Sequence, residues 1–338
     1  MLQYLHYHPD SARNEIKSGM GFEVSDATVK RMLSKAINSG MVLVTGKGRA
    51  TKYRLAPQAH VTMELNVDTY FDKDIDEREV QTGFNFELVN DILPKVELFT
   101  QEELGVLNRA QEQFRRHLSE MTDTEYRKEM ERLGIDLSWK SSQIEGNTYS
   151  LLETEKLLKE KETASGKTKD EAIMLLNHKD ALDFILDVPD YLQTLKVSRI
   201  EDIHSILTKE LGVERNIRHR RVGITGTNYQ PLDNEFQIRE ALEDSVRLIN
   251  SKSGVFDKAL LALVLLSYIQ AFTDGNKRTA RIVSNGILIA NGYCPISFRT
   301  VDSIDYKKAM LMFYEQNNIA AFKRIFIEQF LFAVKTYF

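Results

Sequence analysis

The chain has 338 residues, 42% hydrophobic and 28% charged, with a formal net charge of −4. At roughly 100–200 residues per domain, this length suggests two or three domains with ample core. The composition is that of an ordinary globular protein and excludes disordered, fibrous and disulfide-scaffold classes.

The start, Met1-Leu-Gln-Tyr-Leu-His-Tyr-His-Pro9, lacks the basic opening and apolar stretch of a signal peptide, so a cytoplasmic location is expected. The charge is uneven. Residues 1–55 hold nine Lys/Arg and four acids, +5 in all, which leaves −9 on the rest. Such asymmetry points to a polyanionic partner or to simple surface solvation. Ser11 opens a first helix, punctuated by Gly19 and Gly21. Ser25 opens a second, to Asn38, with apolar positions at Ala27, Val29, Met32, Leu33, Ala36 and Ile37. Met41–Thr45, the Gly46-Lys-Gly48 turn and Thr51–Leu55 then read as strand, turn and strand. This order resembles a winged helix-turn-helix over residues 1–56, with 25–38 as recognition helix and 46–52 as wing. Lys30, Arg31, Lys47 and Arg49 are the candidate DNA contacts. The same unit would serve equally in protein contacts or dimerisation.

Residues 57–95 show no period and are expected to be a linker and lead-in. From Thr100 the chain reads as almost wholly helical. Thr100-Gln-Glu-Glu103 forms a capping box, in which hydroxyl and carboxylate each take up a loose amide of the helix start. Helices are expected at about 123–145, 151–161, 169–186, 198–210, 235–250, 255–270, 276–291, 304–316 and 319–336. The run Ala259–Ile269 is too short to span a membrane and reads as a buried helix, so no membrane partner is expected. Arg218–Gly226 alternates and turns, which suggests a hairpin among the helices. The single cysteine, Cys294, can form no internal disulfide.

The chemistry gathers at Gln270-Ala-Phe-Thr-Asp-Gly-Asn-Lys-Arg-Thr-Ala-Arg281. An apolar helix ends there, and a short turn leads into the next helix. A helix start offers unpaired amides and positive dipole character, and Gly275 lets a ligand approach the backbone. That combination suits phosphate. Arg278 and Arg281 are three apart and share a face. Asp274 beside an anion site suggests an intervening Mg²⁺, which favours one or two carboxylates plus phosphate oxygens. Singly, Asp274 reads equally as a cap and the arginines as surface charge. The contiguous set favours a metal–polyphosphate site.

The segment resembles the Fic motif, His-x-Phe-x-(Asp/Glu)-Gly-Asn-(Gly/Lys)-Arg-x-x-Arg, matched by Phe272, Asp274, Gly275, Asn276, Arg278 and Arg281. The resemblance implies a mainly α protein, with an all-helical Fic domain over 96–338 carrying a small β-hairpin flap. It implies ATP as substrate, with Mg²⁺ on Asp274 and phosphates on Gly275, Asn276, Lys277, Arg278 and Arg281. AMP would pass to a hydroxyl of a target protein, the chain itself included. Ser141-Ser-Gln-Ile-Glu145-Gly146 resembles the family's inhibitory motif, on a helix at about 123–147. Glu145 would pair with Arg281 and fill the space of the γ-phosphate. Residues 218–231, centred on Val222, Gly223, Ile224, Thr225 and Gly226, are similar to the family's target-aligning flap, though a purely structural hairpin reads as well. Family members commonly self-associate, which makes a homodimer an expectation.

Two residues depart from the pattern. Gln270 stands where the family has its basic histidine. An amide cannot take a proton near neutral pH, and losing a general base typically costs about 10²–10⁴-fold in rate. All seven histidines precede the motif, and only His219, beside the flap, is placed to substitute. Lys277 stands where AMP-transferring members usually have glycine, and a lysine there is typical of the related Doc proteins, which transfer phosphate. Three functions remain open: an adenylyltransferase autoinhibited by Glu145, a degenerate nucleotide sensor regulating a DNA-binding winged helix, and an enzyme that removes AMP with Glu145 positioning water.

Overall fold

Short amphipathic segments at the start of the chain build an N-terminal unit with its own core. The computed structural model describes Met1–Phe338. Helices α1 (Leu2–Tyr7), α2 (Arg13–Ser18) and α3 (Asp26–Asn38) precede strands β1 (Val42–Thr45) and β2 (Lys52–Leu55). The strands pair antiparallel from Val42↔Leu55 to Thr45↔Lys52. Ser25 caps α3 by accepting from Thr28 N at 3.1 Å. Val29, Leu33 and Ala36 on one face of α3 join Leu5, Ile16, Val42 and Leu55 in a separate apolar cluster. The helix expected from Ser11 starts two residues later, at Arg13, because Ser11 pairs its backbone with Tyr53 as a sheet bridge. The sequence gives no sign of α1, whose six residues are too few to show a period.

Residues 57–95 were expected as a linker, and here the structure corrects the sequence. They form α4 (Pro57–Thr62), α5 (Val67–Phe71) and short 3-10 and π turns. Val61, Leu88, Val89 and Leu93 are buried in the main core. Elements of five or six residues are not stable alone, so these are held by tertiary contacts and leave no periodic trace. The stretch 70–83 runs as a strap across the body. Tyr70 Oη donates to Glu315 at 2.6 Å, and Arg78 lies 3.3 Å from the same buried carboxylate. Gln81 N donates to Glu315 O, and Arg78 Nη2 donates to Gly226 O at 2.7 Å. At the junction with the N-terminal unit, His6 Nε2 meets Gln316 Oε1 at 2.8 Å and its ring stacks on His60.

The body is a helical assembly: α6 (Gln101–Glu120), α7 (Asp123–Ile144), α8 (Leu151–Glu160), α9 (Lys169–Asp187), α10 (Val197–Leu207), α11 (Glu235–Ser251), α12 (Val255–Ile269), α13 (Asn276–Ala290), α14 (Ser303–Gln316) and α15 (Ala320–Tyr337). Complete capping boxes start α6, α7, α8 and α9, each a Thr or Ser followed three residues later by Glu. Helix α12 is apolar on every side, and a helix of that kind belongs at the centre of a core. Every residue from Ala259 to Leu265 is fully buried. Helix α13 packs on α12, where Ser284 Oγ donates to Ala259 O at 2.9 Å. No helix is long and apolar enough to cross a membrane. Residues 221–231 differ from the expected hairpin. They run extended and reverse at Thr225-Gly226, where Gly226 has φ +88°, but form no cross-strand ladder. Strap contacts hold them instead: Arg78 on Gly226 O, and Gln230 N donating to Thr82 O at 3.0 Å.

Candidate functional site

The turn between α12 and α13 is braced from inside. Gln270 ends α12 in a left-handed conformation, φ +53° and ψ 54°, which costs an L residue about 1–2 kcal/mol. Hydrogen bonds sustain it. Gln270 Nε2 donates to Ser267 O at 2.6 Å, and its Oε1 accepts from Asn276 Nδ2 at 3.2 Å. Arg218, fully buried, donates from Nε to Gln270 O at 2.6 Å and from its backbone N to Ala271 O at 3.0 Å. Asn276 accepts from Phe272 N and donates to Phe272 O, both at 2.8 Å. Its side chain was expected to hold phosphate, but it is fully occupied in closing the turn. Only its backbone amide remains for a ligand.

Gly275 follows at φ +81° as the cap of α13. A Cβ there would lie 3.1 Å from Thr208 Cγ2 and 3.3 Å from His204 Cδ2, so only glycine fits. It contributes no capping side chain, which leaves the first-turn amides of α13 for an anion. Arg278 is buried and donates to Asp274 Oδ2 at 3.0 Å and to Leu207 O at 3.3 Å. His204 stacks on Phe272 with ring centroids 3.7 Å apart, and its Nε2 lies 2.9 Å from Asp274 O. Burial drops the His204 pKa to about 4 against the opposing pull of that carbonyl. The ring is therefore neutral, with the proton on Nε2, because a carbonyl only accepts.

Glu145, at the end of α7, meets one cation with each oxygen. Arg281 Nη2 donates to Oε1 at 2.7 Å and Lys277 Nζ to Oε2 at 3.0 Å. Burial pushes the carboxyl pKa up, but the two cations outweigh it and hold it at about 2. Arg281 is fully buried. It also donates from Nε to Ser141 Oγ at 2.8 Å and from Nη2 to Ser141 O at 3.0 Å, with its guanidinium 5.3 Å from the Tyr306 ring centre. His178 Nε2 lies 2.7 Å from Ser141 Oγ. Burial, with Arg281 and Arg278 nearby, lowers the His178 pKa and keeps the ring neutral.

These groups surround a cavity of about 430 Å³, a volume suited to a small-molecule ligand. Its wall includes Glu145, Val222, Gly223, Ile224, Thr225, Gln270, Asp274, Gly275, Asn276, Lys277 and Arg278. Ser141 and Arg281 are joined to it through Glu145. Gly146 and Gly226, both at positive φ, shape the two backbone turns beside it. His219 is exposed and is not part of the wall. Lys30, Arg31, Lys47 and Arg49 belong to the N-terminal unit and contribute nothing here. Tyr306, Lys307, Met310 and Tyr314 also line the cavity, and the sequence reading missed them, together with His178, His204 and Arg218. Each is a single residue on a helix or loop with no local motif. Only the packing of α9, α10 and α14 brings them to the turn.

No cluster of three or more His, Cys, Asp or Glu is arranged to hold a metal. A single carboxylate fits Mg²⁺ if phosphate and water supply the remaining oxygens. Asp274 meets that condition, with its side chain 65% exposed and only Oδ2 engaged, by Arg278. A metal would therefore arrive with a polyphosphate.

Residues 194–288 match the model of the Fic/DOC family. The chain is 29% identical over 172 residues to a protein adenylyltransferase Fic of Nematostella vectensis, covering 49% of this chain and 40% of that protein. It is 29% identical over 160 residues to protein adenylyltransferase fic-1 of Caenorhabditis elegans, covering 45% and 31%. The chain thus spans two fifths or less of the length of these relatives. Among solved structures, Fic-1 of C. elegans superposes with a TM-score of 0.60 at 22% identity, over 70% of this chain and 72% of that one. A Fic domain containing signaling protein of Bacteroides thetaiotaomicron gives 0.60 at 18%, over 69% and 96%. The mainly helical fold is the one these Fic structures share.

Proposed function

We propose that this Fic fold binds ATP with Mg²⁺ and transfers AMP to a hydroxyl of a protein segment, and that Glu145 holds the site shut. The observation that carries the reading is the cavity wall itself. It sets the uncapped start of α13, Asp274 and Arg278 opposite a glutamate clamped by Lys277 and Arg281. The α13 amides and Arg278 would take phosphate oxygens, and Asp274 would hold the metal. Bound Mg²⁺ would offset phosphate charge. Arg281 and Lys277 turn from Glu145 to the nucleotide when Glu145 withdraws. The extended backbone at Val222–Gly226 is free to align a target strand. Transfer forms a bond from the target oxygen to the α-phosphorus and breaks the bond to pyrophosphate. The hydroxyl proton leaves to solvent, because Gln270 cannot hold it. Positioning and electrostatics carry such a reaction, and turnover is slow.

A second reading has its own observation. Both ends of the Gln270 amide are engaged within the turn. A residue committed in this way suits a nucleotide-sensing regulator as well as a slow enzyme. Wild type, Glu145→Gly and Gln270→His, each given Mg²⁺ and ATP labelled at the α or the γ phosphate, separate the two. α-label on the Glu145→Gly protein establishes AMP transfer. Label that appears only with Gln270→His assigns the native chain to sensing. γ-label alone would indicate phosphate transfer, and the absence of nucleotide binding in every variant would sink both readings.

A further inference from the structure

We infer that the N-terminal unit is a double-stranded DNA-binding surface, formed by the outer face of α3 and the β1–β2 turn. Helix α3 buries Val29, Leu33 and Ala36, and at the alternate positions exposes Lys30, Arg31, Ser34 and Lys35. Its 13 residues form a rod about 20 Å long, whose exposed side is of a size to enter a major groove. Three residues after α3 the chain enters β1, and the β1–β2 turn carries Lys47 and Arg49, both exposed. Gly46 and Gly48, at φ +73° and +60°, make that turn tight. A helix–helix–hairpin order with the second helix outward is the geometry of a groove reader with a wing.

The charge balance strengthens the case. Residues 1–55 carry nine cations and four acids. Of the acids, Asp26 is paired with Lys17 and Glu15 with Lys52. The cations of the α3 face and the turn have no acidic partner: Lys30, Arg31, Lys35, Lys47 and Arg49 occur in no ion pair, so the face presents uncompensated positive charge. A protein chain would be drawn instead to the exposed apolar residues Met41, Leu43 and Val44 near β1. The cationic face outweighs them in extent, and phosphate is the partner that five unpaired cations fit.

The test uses the full chain and a fluorescent 25-base-pair duplex of mixed sequence, titrated by anisotropy from 50 to 200 mM salt. With three to five phosphates neutralised, the log–log slope is about −3 to −4.5, and affinity falls about 40- to 500-fold across that range. Substituting Lys30→Ala, Arg31→Ala, Lys47→Ala and Arg49→Ala together weakens binding at least tenfold and makes the slope shallower by about 2 or more. Lys128→Ala with Lys169→Ala, on the exposed surface of the body, leaves both unchanged. All four substituted residues are exposed, so the variant retains the wild-type melting temperature. Absence of duplex binding at 50 mM salt overturns the inference. So does a fourfold variant with unaltered affinity and slope. Self-association of the wild type that the fourfold variant loses, without duplex binding, would assign the face to a second copy of the chain.

Discussion

Glu145→Gln separates the two consequences of the clamp. The carboxyl is buried, which alone would raise its pKa, yet Arg281 and Lys277 hold it at about 2 against an ordinary 4.5. A depression of that size corresponds to about 3 kcal/mol of folded-state stability at neutral pH. The folded pKa is the lower one, so this stability is fully present above pH 4.5 and is lost as pH falls toward 2. The glutamine variant therefore starts about 3 kcal/mol less stable at pH 7, a fall of roughly 5 °C in melting temperature for a chain of this size. It lacks that increment of acid destabilisation between pH 4.5 and 2. Nucleotide moves the other way. Freeing Arg281 and Lys277 from a competing carboxylate returns about 1.5–3 kcal/mol to phosphate contacts, or roughly 10- to 100-fold in Kd for Mg²⁺–ATP. Differential scanning fluorimetry on the apo protein across pH, and calorimetric titration with Mg²⁺–ATP, read both effects. An apo variant as stable as wild type that also binds ATP no more tightly would show that the clamp neither stabilises nor closes the site.

Three further outcomes follow from the same geometry. Gln270→His in a Glu145→Gly background raises the initial rate of α-label transfer by about 10²–10⁴-fold, and an unchanged rate would mean that position 270 takes no part in proton transfer. Gly275→Ala forces a side chain into φ +81° and against Thr208 and His204. It lowers stability by about 1–2 kcal/mol, seen as a lower urea midpoint, and weakens Mg²⁺–ATP binding in calorimetry. Glu315→Ala leaves Arg78 buried without its counter-ion. The cost is about 3–5 kcal/mol in urea denaturation, and a loss below 1 kcal/mol would show that the strap is not anchored there.

The long helices of the body were legible because their signals are local. A Ser or Thr with Glu three residues on marks a start, and apolar spacing marks the face. The start of α12 shows the same, since Ala259–Ile269 could only be a buried helix or a membrane span, and its length chose between them. The strap at 70–83 had no such signal. Its order comes from Glu315, more than 230 residues away, which Tyr70 and Arg78 reach. The flap alternates like a strand, but its backbone bonds go to the strap, and alternation alone does not reveal the partner. His178 and His204 read as ordinary core histidines until packing sets one against Ser141 and the other on Phe272.

The two departures from the Fic motif look unrelated in the sequence, one at the base position and one beside the phosphate site. In the folded chain both act on the closed state. Gln270 uses its amide to tie Ser267 to Asn276, which fixes the turn in the form that presents Gly275. Lys277 takes the second oxygen of Glu145, a contact that glycine could not make. With Arg281 on the first oxygen, Glu145 then withdraws only by breaking two ion pairs, one of them to a fully buried arginine. Each departure thus forms a bond inside the protein that nucleotide entry must break or work around. A chain that has lost its base and doubled its clamp is built first to control when nucleotide is held, and its rate of transfer is secondary to that control.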